Sequence, residues 1–215
     1  MASPGAPRSA GTLTARSAAT RQALVEAAVE ALRDVGFAGA SARDIAGRAG
    51  STQSQVFYHF GSVADLLLAA LDDVSARRMA AFQPLLEGAM SPADLLRTAR
   101  TVLGDDIGSG DLKVLVEMVA GAQTVPGLGE RVAERLTPWY AFAEAAVTKA
   151  CTGLPLGSML PVRDIARAIV AGILGLELLD SLDGENARSG AMLDHITSLA
   201  SLIPNVPAST SARPS

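Results

Sequence analysis

Three helix-start signatures crowd into residues 41–65, and no other feature of this chain limits its fold as tightly. Ser41 stands three residues before Asp44, Thr52 three before Gln55, and Ser62 three before Asp65. Each is a capping box or its Asp variant. The hydroxyl accepts an unpaired N–H of the first turn, and the third residue can reach back to the N–H of the cap. Thr52 follows Ser41 by 11 residues and Ser62 follows Thr52 by 10, which leaves room for two very short helices before a longer one. The first, Ser41 to about Ala49, places Ile45, Ala46 and Ala49 on its inner side, and Gly50 supplies the turn. The second runs from Thr52 to about Phe57. The third runs from Ser62 through Leu66, Leu67, Ala70, Leu71 and Val74 until Pro84 stops or kinks it.

Upstream, Leu24, Ala28, Leu32 and Val35 recur every three or four residues, and Gly36 is expected to end that helix. A supporting helix followed by two short ones around a glycine turn is a helix-turn-helix, here over about residues 41–60. In that motif the second short helix enters the major groove of DNA with its first residues against base edges. Thr52, Gln53, Ser54 and Gln55 occupy that start, while Val56 and Phe60 face the core. Glutamine can bond adenine through two atoms, and a helix start offers free N–H groups to a phosphate.

The remainder also reads as helical, because β-branched alternation is nearly absent and apolar residues keep a helical period. Ser91-Pro92 opens a helix to about Leu103, Gly104–Gly110 reads as a loop, and Leu112 to about Val125 is strongly apolar. A helix from about Glu130 to Ala150 carries Pro138, which should kink or split it. Two more span about Val162 to Leu182 and Ala187 to Ile203. Residues 1–17 and 204–215 are expected to be a disordered arm and tail. The expected architecture is all-α, with a DNA-binding domain over 18–78 and a second helical domain over 79–203.

Hydrophobic residues make up 49% of the chain, which excludes global disorder. The longest apolar run, Ala168 to Leu176, is nine residues, about half a membrane span. Residues 1–20 contain no hydrophobic stretch, so no secretory signal is expected there. Cys151 is the single cysteine and reads as a small core residue of a reducing cytoplasm. An all-α enzyme is the competing class. Against it, the chain offers only His59 and His195, no metal-spaced His/Cys cluster and no glycine-rich phosphate loop, so neither metal nor cofactor is expected.

Within residues 20–71 the chain resembles the TetR family of transcriptional regulators. The resemblance rests on Ala27-Ala28 with Gly36-Phe37, then Arg43-Asp44-Ile45-Ala46, Ala49-Gly50, and Val56-Phe57-Tyr58-His59-Phe60 followed by Ser62 and Leu66. It implies DNA contacts from Arg43, Thr52, Gln53, Ser54, Phe57, Tyr58 and His59. It also implies a C-terminal domain that binds a small-molecule effector and forms a homodimer, with repression of a palindromic operator as the expected output. Three positions depart from the family pattern. Phe57 stands where Tyr is common, Val63 where Lys is common, and Ser51 where an aliphatic residue is usual. A TetR-like module with degraded DNA affinity, working through ligand or protein contacts, is therefore the alternative.

Phe82, Glu117, Trp139, Tyr140, Phe142 and Glu177 are the candidate effector-pocket residues: three aromatic groups beside the Pro138 break, Phe82 near the domain junction, and acids interrupting apolar runs. The last two helices are apolar around much of their girth, with Gly172 and Gly175 thinning one side, and a two-fold helical interface would cover them. Net charge is −4, from 18 basic and 22 acidic residues. That acidity opposes nucleic-acid binding only if evenly spread. Residues 1–62 hold six Arg and four acids, so the acidity belongs to the part that need not touch DNA. Arg8, Arg16 and Arg21 are expected to form a basic arm that supplements the contacts.

Overall fold

The computed structural model describes residues 10–88, 90–152, 154 and 157–183, together with Ala191, Met192, Asp194, His195 and Ser198. Helices make up every regular element among them: α1 (Ala10–Gly39), α2 (Ala42–Arg48), α3 (Gln53–Phe60), α4 (Val63–Phe82), α5 (Pro92–Ser109), α6 (Asp111–Gly121), α7 (Leu128–Cys151) and α8 (Val162–Asp183). The helix expected over about 187–203 lies largely outside the described residues.

Local chemistry accounts for the N-terminal half. Ser41 Oγ accepts the Asp44 N–H at 3.2 Å, and Ser62 Oγ accepts the Asp65 N–H at 3.1 Å, as the capping boxes require. Gly50 turns the chain between α2 and α3 at φ 58°, and the Ser51 N–H closes back on the Ala46 carbonyl at 2.8 Å. Ala27, Ala28 and Ala31 are buried on α1, where their small size lets other helices approach. Ile45 of α2, Val56 of α3, and Leu66, Leu67 and Leu71 of α4 complete that core. The same core continues without a break into Leu112, Val114, Leu115 and Met118 of α6.

Five expectations change. Thr52 precedes α3 in extended backbone, but its hydroxyl caps nothing; it shares a hydrogen bond with Ser54 Oγ at 2.8 Å. Val35 is 47% exposed: the buried stripe of α1 ends at Leu32, just before the helix breaks at Gly36 (φ 69°, ψ −177°). Helix α1 begins at Ala10, inside the stretch read as an arm. The loop expected over 104–110 is the last part of α5; Gly104 is tolerated inside the helix, and only Gly110, at φ 63°, ends it. Pro138 lies within one continuous helix, α7. Its side is exposed, and buried Val132 and Leu136 before it and Phe142 and Ala146 after it hold both halves to the core.

Candidate nucleic-acid interface and effector cavity

Helices α2 and α3 are held as a unit before any of their outer residues is considered. Arg48 bonds Asp44 within α2 at 2.8 Å and Asp34 of α1 at 2.6 Å, so two carboxylates raise its already high pKa and α2 is tied to the supporting helix. Val56 is fully buried, and Phe60 packs against the same core with the Arg21 guanidinium 4.9 Å from its ring centroid. Arg21 thus clasps the end of α3 to α1, a role that the reading of it as part of a free arm did not anticipate.

This clamp presents one outward face. Arg43 of α2 is exposed, as are Thr52, Gln53 and Ser54 at the start of α3. Tyr58 is 77% and Phe57 51% exposed, and half-buried His59 packs edge-on against Tyr58, with ring centroids 5.0 Å apart. All seven residues nominated from the sequence therefore lie on the helix-turn-helix. Helix α3 has no acid in its first turn, and the unused Thr52 cap leaves N–H groups there without a side-chain partner. Chemically the face offers hydrogen-bond donors, a phenol and a cation to an anionic, edge-patterned surface.

Behind it, α4 leads into the C-terminal bundle, where two hollows adjoin between α4, α5, α6, α7 and α8. Trp139, Val102, Val170 and Ile173 line both. Of the six residues nominated for a pocket, Trp139 and Phe142 line this space. Phe82 is buried just behind, edge-on to Trp139 with centroids 6.4 Å apart. Tyr140 packs into the core beside Ala143 and Ala166. Glu117 lies elsewhere: its carboxylate accepts the Phe37 N–H at the end of α1, at 2.9 Å. Glu177 is half-buried on α8 and is not among the lining residues.

The polar groups of the hollow against α4 and α6 escaped sequence reasoning. They are Ser75, Arg78 and Asp111, and the last two are the buried charged residues among the described side chains. Arg78 donates to the Val102 carbonyl at 2.7 Å and stacks over Phe82 at 5.2 Å. The signal for it was present: Leu71, Val74, Arg78 and Phe82 form one helical stripe, so an arginine at that register had to be inward. Asp111 carried no such signal, because it follows a Gly-Ser-Gly run that reads as loop. Among the described residues no three His, Cys, Asp or Glu side chains converge to hold a metal, and no helix is long and apolar enough to cross a membrane.

A helix-turn-helix head joined through α4 to a hollow helical bundle defines a DNA-binding transcriptional regulator. Residues 24–70 match the model of the bacterial regulatory proteins, tetR family. It is 28% identical over 138 residues to an uncharacterized HTH-type transcriptional regulator of Mycobacterium tuberculosis, a match covering 64% of this chain and 69% of that protein. The fold is similar to a TetR transcriptional regulator from Chloroflexus aurantiacus, with a TM-score of 0.71 at 19% identity over 87% of this chain and 97% of the other. A TetR-family structure from Streptomyces coelicolor matches with a TM-score of 0.61 at 25% identity, over 84% and 97%. Regulators of this family bind DNA and effector ligands, are dimeric, and are not enzymes.

Proposed function

We propose that this protein is a repressor that binds a palindromic operator as a homodimer and is released by a small-molecule effector held in the α4–α8 hollow. Residues 18–78 form the reading head and 79–203 the effector and dimer domain. The observation that carries the reading is the outward face of α3, whose exposed Gln53 and Ser54 start a helix clamped from behind by Arg21 and Val56. In this reading Gln53 meets a base edge, Thr52, Ser54 and the free N–H groups of α3 meet phosphate, and Arg43, Tyr58 and His59 meet the backbone on either side. Phe57, lacking the phenol, packs against sugar or a thymine methyl.

For dimerisation, Leu178, Leu179 and Leu182 of α8 are 47%, 57% and 75% exposed. A Cβ added at Gly172 or Gly175 would meet nothing within 4 Å, so the helix surface there is open to close approach by a second copy. That apolar face supports a two-fold interface, and a two-fold protein pairs with two half-sites.

Selection of genomic fragments with the purified full chain tests the function. Enrichment of a palindromic, salt-sensitive fragment is expected, together with a dimer by light scattering. No enriched fragment would favour the alternative of a ligand-binding or protein-binding module with lost DNA affinity, which exposed Phe57 and the absence of a cation at Val63 would then explain.

A further inference from the structure

One carboxylate belongs both to the wall of the hollow and to the joint with the reading head. Asp111 lines the hollow against α4 and α6 and is 7% exposed. Its Oδ1 receives the Arg33 guanidinium of α1 and lies 3.8 Å from Arg77 of α4. The Arg33 contact is made through one nitrogen, and the Nε of Arg33 is buried without a partner. A guanidinium that leaves a buried donor unpaired is held less firmly than the two-pronged arrangement available to arginine and a carboxylate. The joint is therefore open to competition.

What the joint holds is the end of α1. The Lys113 ammonium donates to the Arg33 carbonyl, and Glu117 accepts the Phe37 N–H, so three residues of α6 grip residues 33–37. Gly110, in a left-handed conformation, precedes Asp111 and is the natural pivot for the start of α6. The stem of Arg33 passes over it, since a Cβ there would lie 3.4 Å from the Arg33 Cδ.

We propose that Asp111 is a ligand-recognition residue: an effector with an apolar body and a cationic or hydrogen-bond-donating head competes with Arg33 for its carboxylate and so loosens α1. This inference rests on the hollow being the effector site. The apolar body fits walls built from Val74, Leu112, Leu115, Trp139 and Ile173. The cationic head replaces one partner of a buried carboxylate with another, so no charge is left unpaired there.

Trp139 is the single tryptophan and lines the hollow, so its fluorescence reports occupancy without DNA. Three probes sharing one apolar body are to be titrated into the full chain: adamantylmethylammonium, adamantylmethanol and adamantylacetate. The ammonium is expected to bind about tenfold or more tighter than the acetate, the equivalent of one charge-assisted hydrogen bond. Asp111→Asn is expected to erase that preference. Arg33→Ala removes the nearer of the two guanidinium groups at the carboxylate, leaving Arg77 at 3.8 Å, and is expected to bind the ammonium more tightly than the parent protein does, which separates recognition from a folding defect in the Asn variant. If all three probes perturb Trp139 with equal affinity, or the acetate binds best, the hollow stands as a ligand site and the role of Asp111 is overturned. If none perturbs Trp139, the effector reading itself fails and takes this proposal with it.

Discussion

The Glu117 carboxylate accepts the backbone N–H of Phe37 across 80 residues of sequence, at 2.9 Å, and this bond closes α6 onto the turn that ends α1. Gly36, immediately before, has φ 69°, and a Cβ on it would fall 2.6 Å from the same carboxylate. Glu117→Ala is expected to lower stability by about 1–3 kcal/mol, the cost of leaving a part-buried N–H unpaired. Glu117→Gln should recover part of the loss, since its amide oxygen can still accept. Urea denaturation of the three proteins checks the order.

Gly121 on α6 lies directly against the Phe37 ring; an added Cβ would stand 2.0 Å from it. Gly121→Ala therefore overpacks the α1–α6 contact, and a loss of about 1–3 kcal/mol is expected. Phe37→Leu should cost less when combined with Gly121→Ala than it does in the parent. A double-mutant cycle with additive losses would show that the two residues do not share the contact.

On DNA the outward face divides by role. Arg43→Ala is expected to weaken binding at every sequence and to flatten the salt slope by about one unit. Gln53→Ala should instead relax base preference at one position per half-site, by about 1–3 kcal/mol, with the slope unchanged. Fluorescence anisotropy at several salt concentrations, on the selected fragment and its single-base variants, distinguishes the two.

Val63 opens α4 half-buried beside the head. Val63→Lys is expected to keep the fold, because the stem can lie along the apolar surface with its ammonium in water. It should tighten DNA binding and steepen the salt slope by about 0.9 units. An unchanged slope would place this position away from the phosphates.

Ser91 and Asp94 form a complete capping box at the start of α5: the Ser91 hydroxyl and N–H and the Arg97 guanidinium together hold the Asp94 carboxyl down at about 2. A depressed carboxyl stabilises the fold above its unfolded pKa and loses that contribution as pH falls through the folded one. Ser91→Ala should cost about 1 kcal/mol at neutral pH, a figure that already allows for solvent screening of this partly exposed group. The difference between parent and variant should shrink as pH drops from 3.8 toward 2. Thermal melts across that range measure it.

Short-range chemistry was legible in the residues alone. The Ser41 and Ser62 caps, the Gly50 turn, the inward Val56 and the outward Gln53 all depend on neighbours within a few positions, and their order carries the family resemblance. Thr52 shows the limit even at that range, because its hydroxyl had two partners available and took Ser54 rather than the helix N–H. Pro138 and Gly104 show another. Both are helix breakers by local preference, yet α5 runs on through Gly104, and buried residues before and after Pro138 keep α7 intact.

What the sequence determined by itself was therefore the reading head, since capping, turn geometry and helical period act over three or four residues. Only the tertiary structure decided the joint and the hollow behind it. Arg33 with Asp111 and Phe37 with Glu117 meet across 78 and 80 residues. A carboxylate carries no mark of which distant donor it will meet; that is set by which helix faces bury together. The acids at 111 and 117 thus became a cavity wall and a helix latch through packing, and no spacing in the chain could have assigned them.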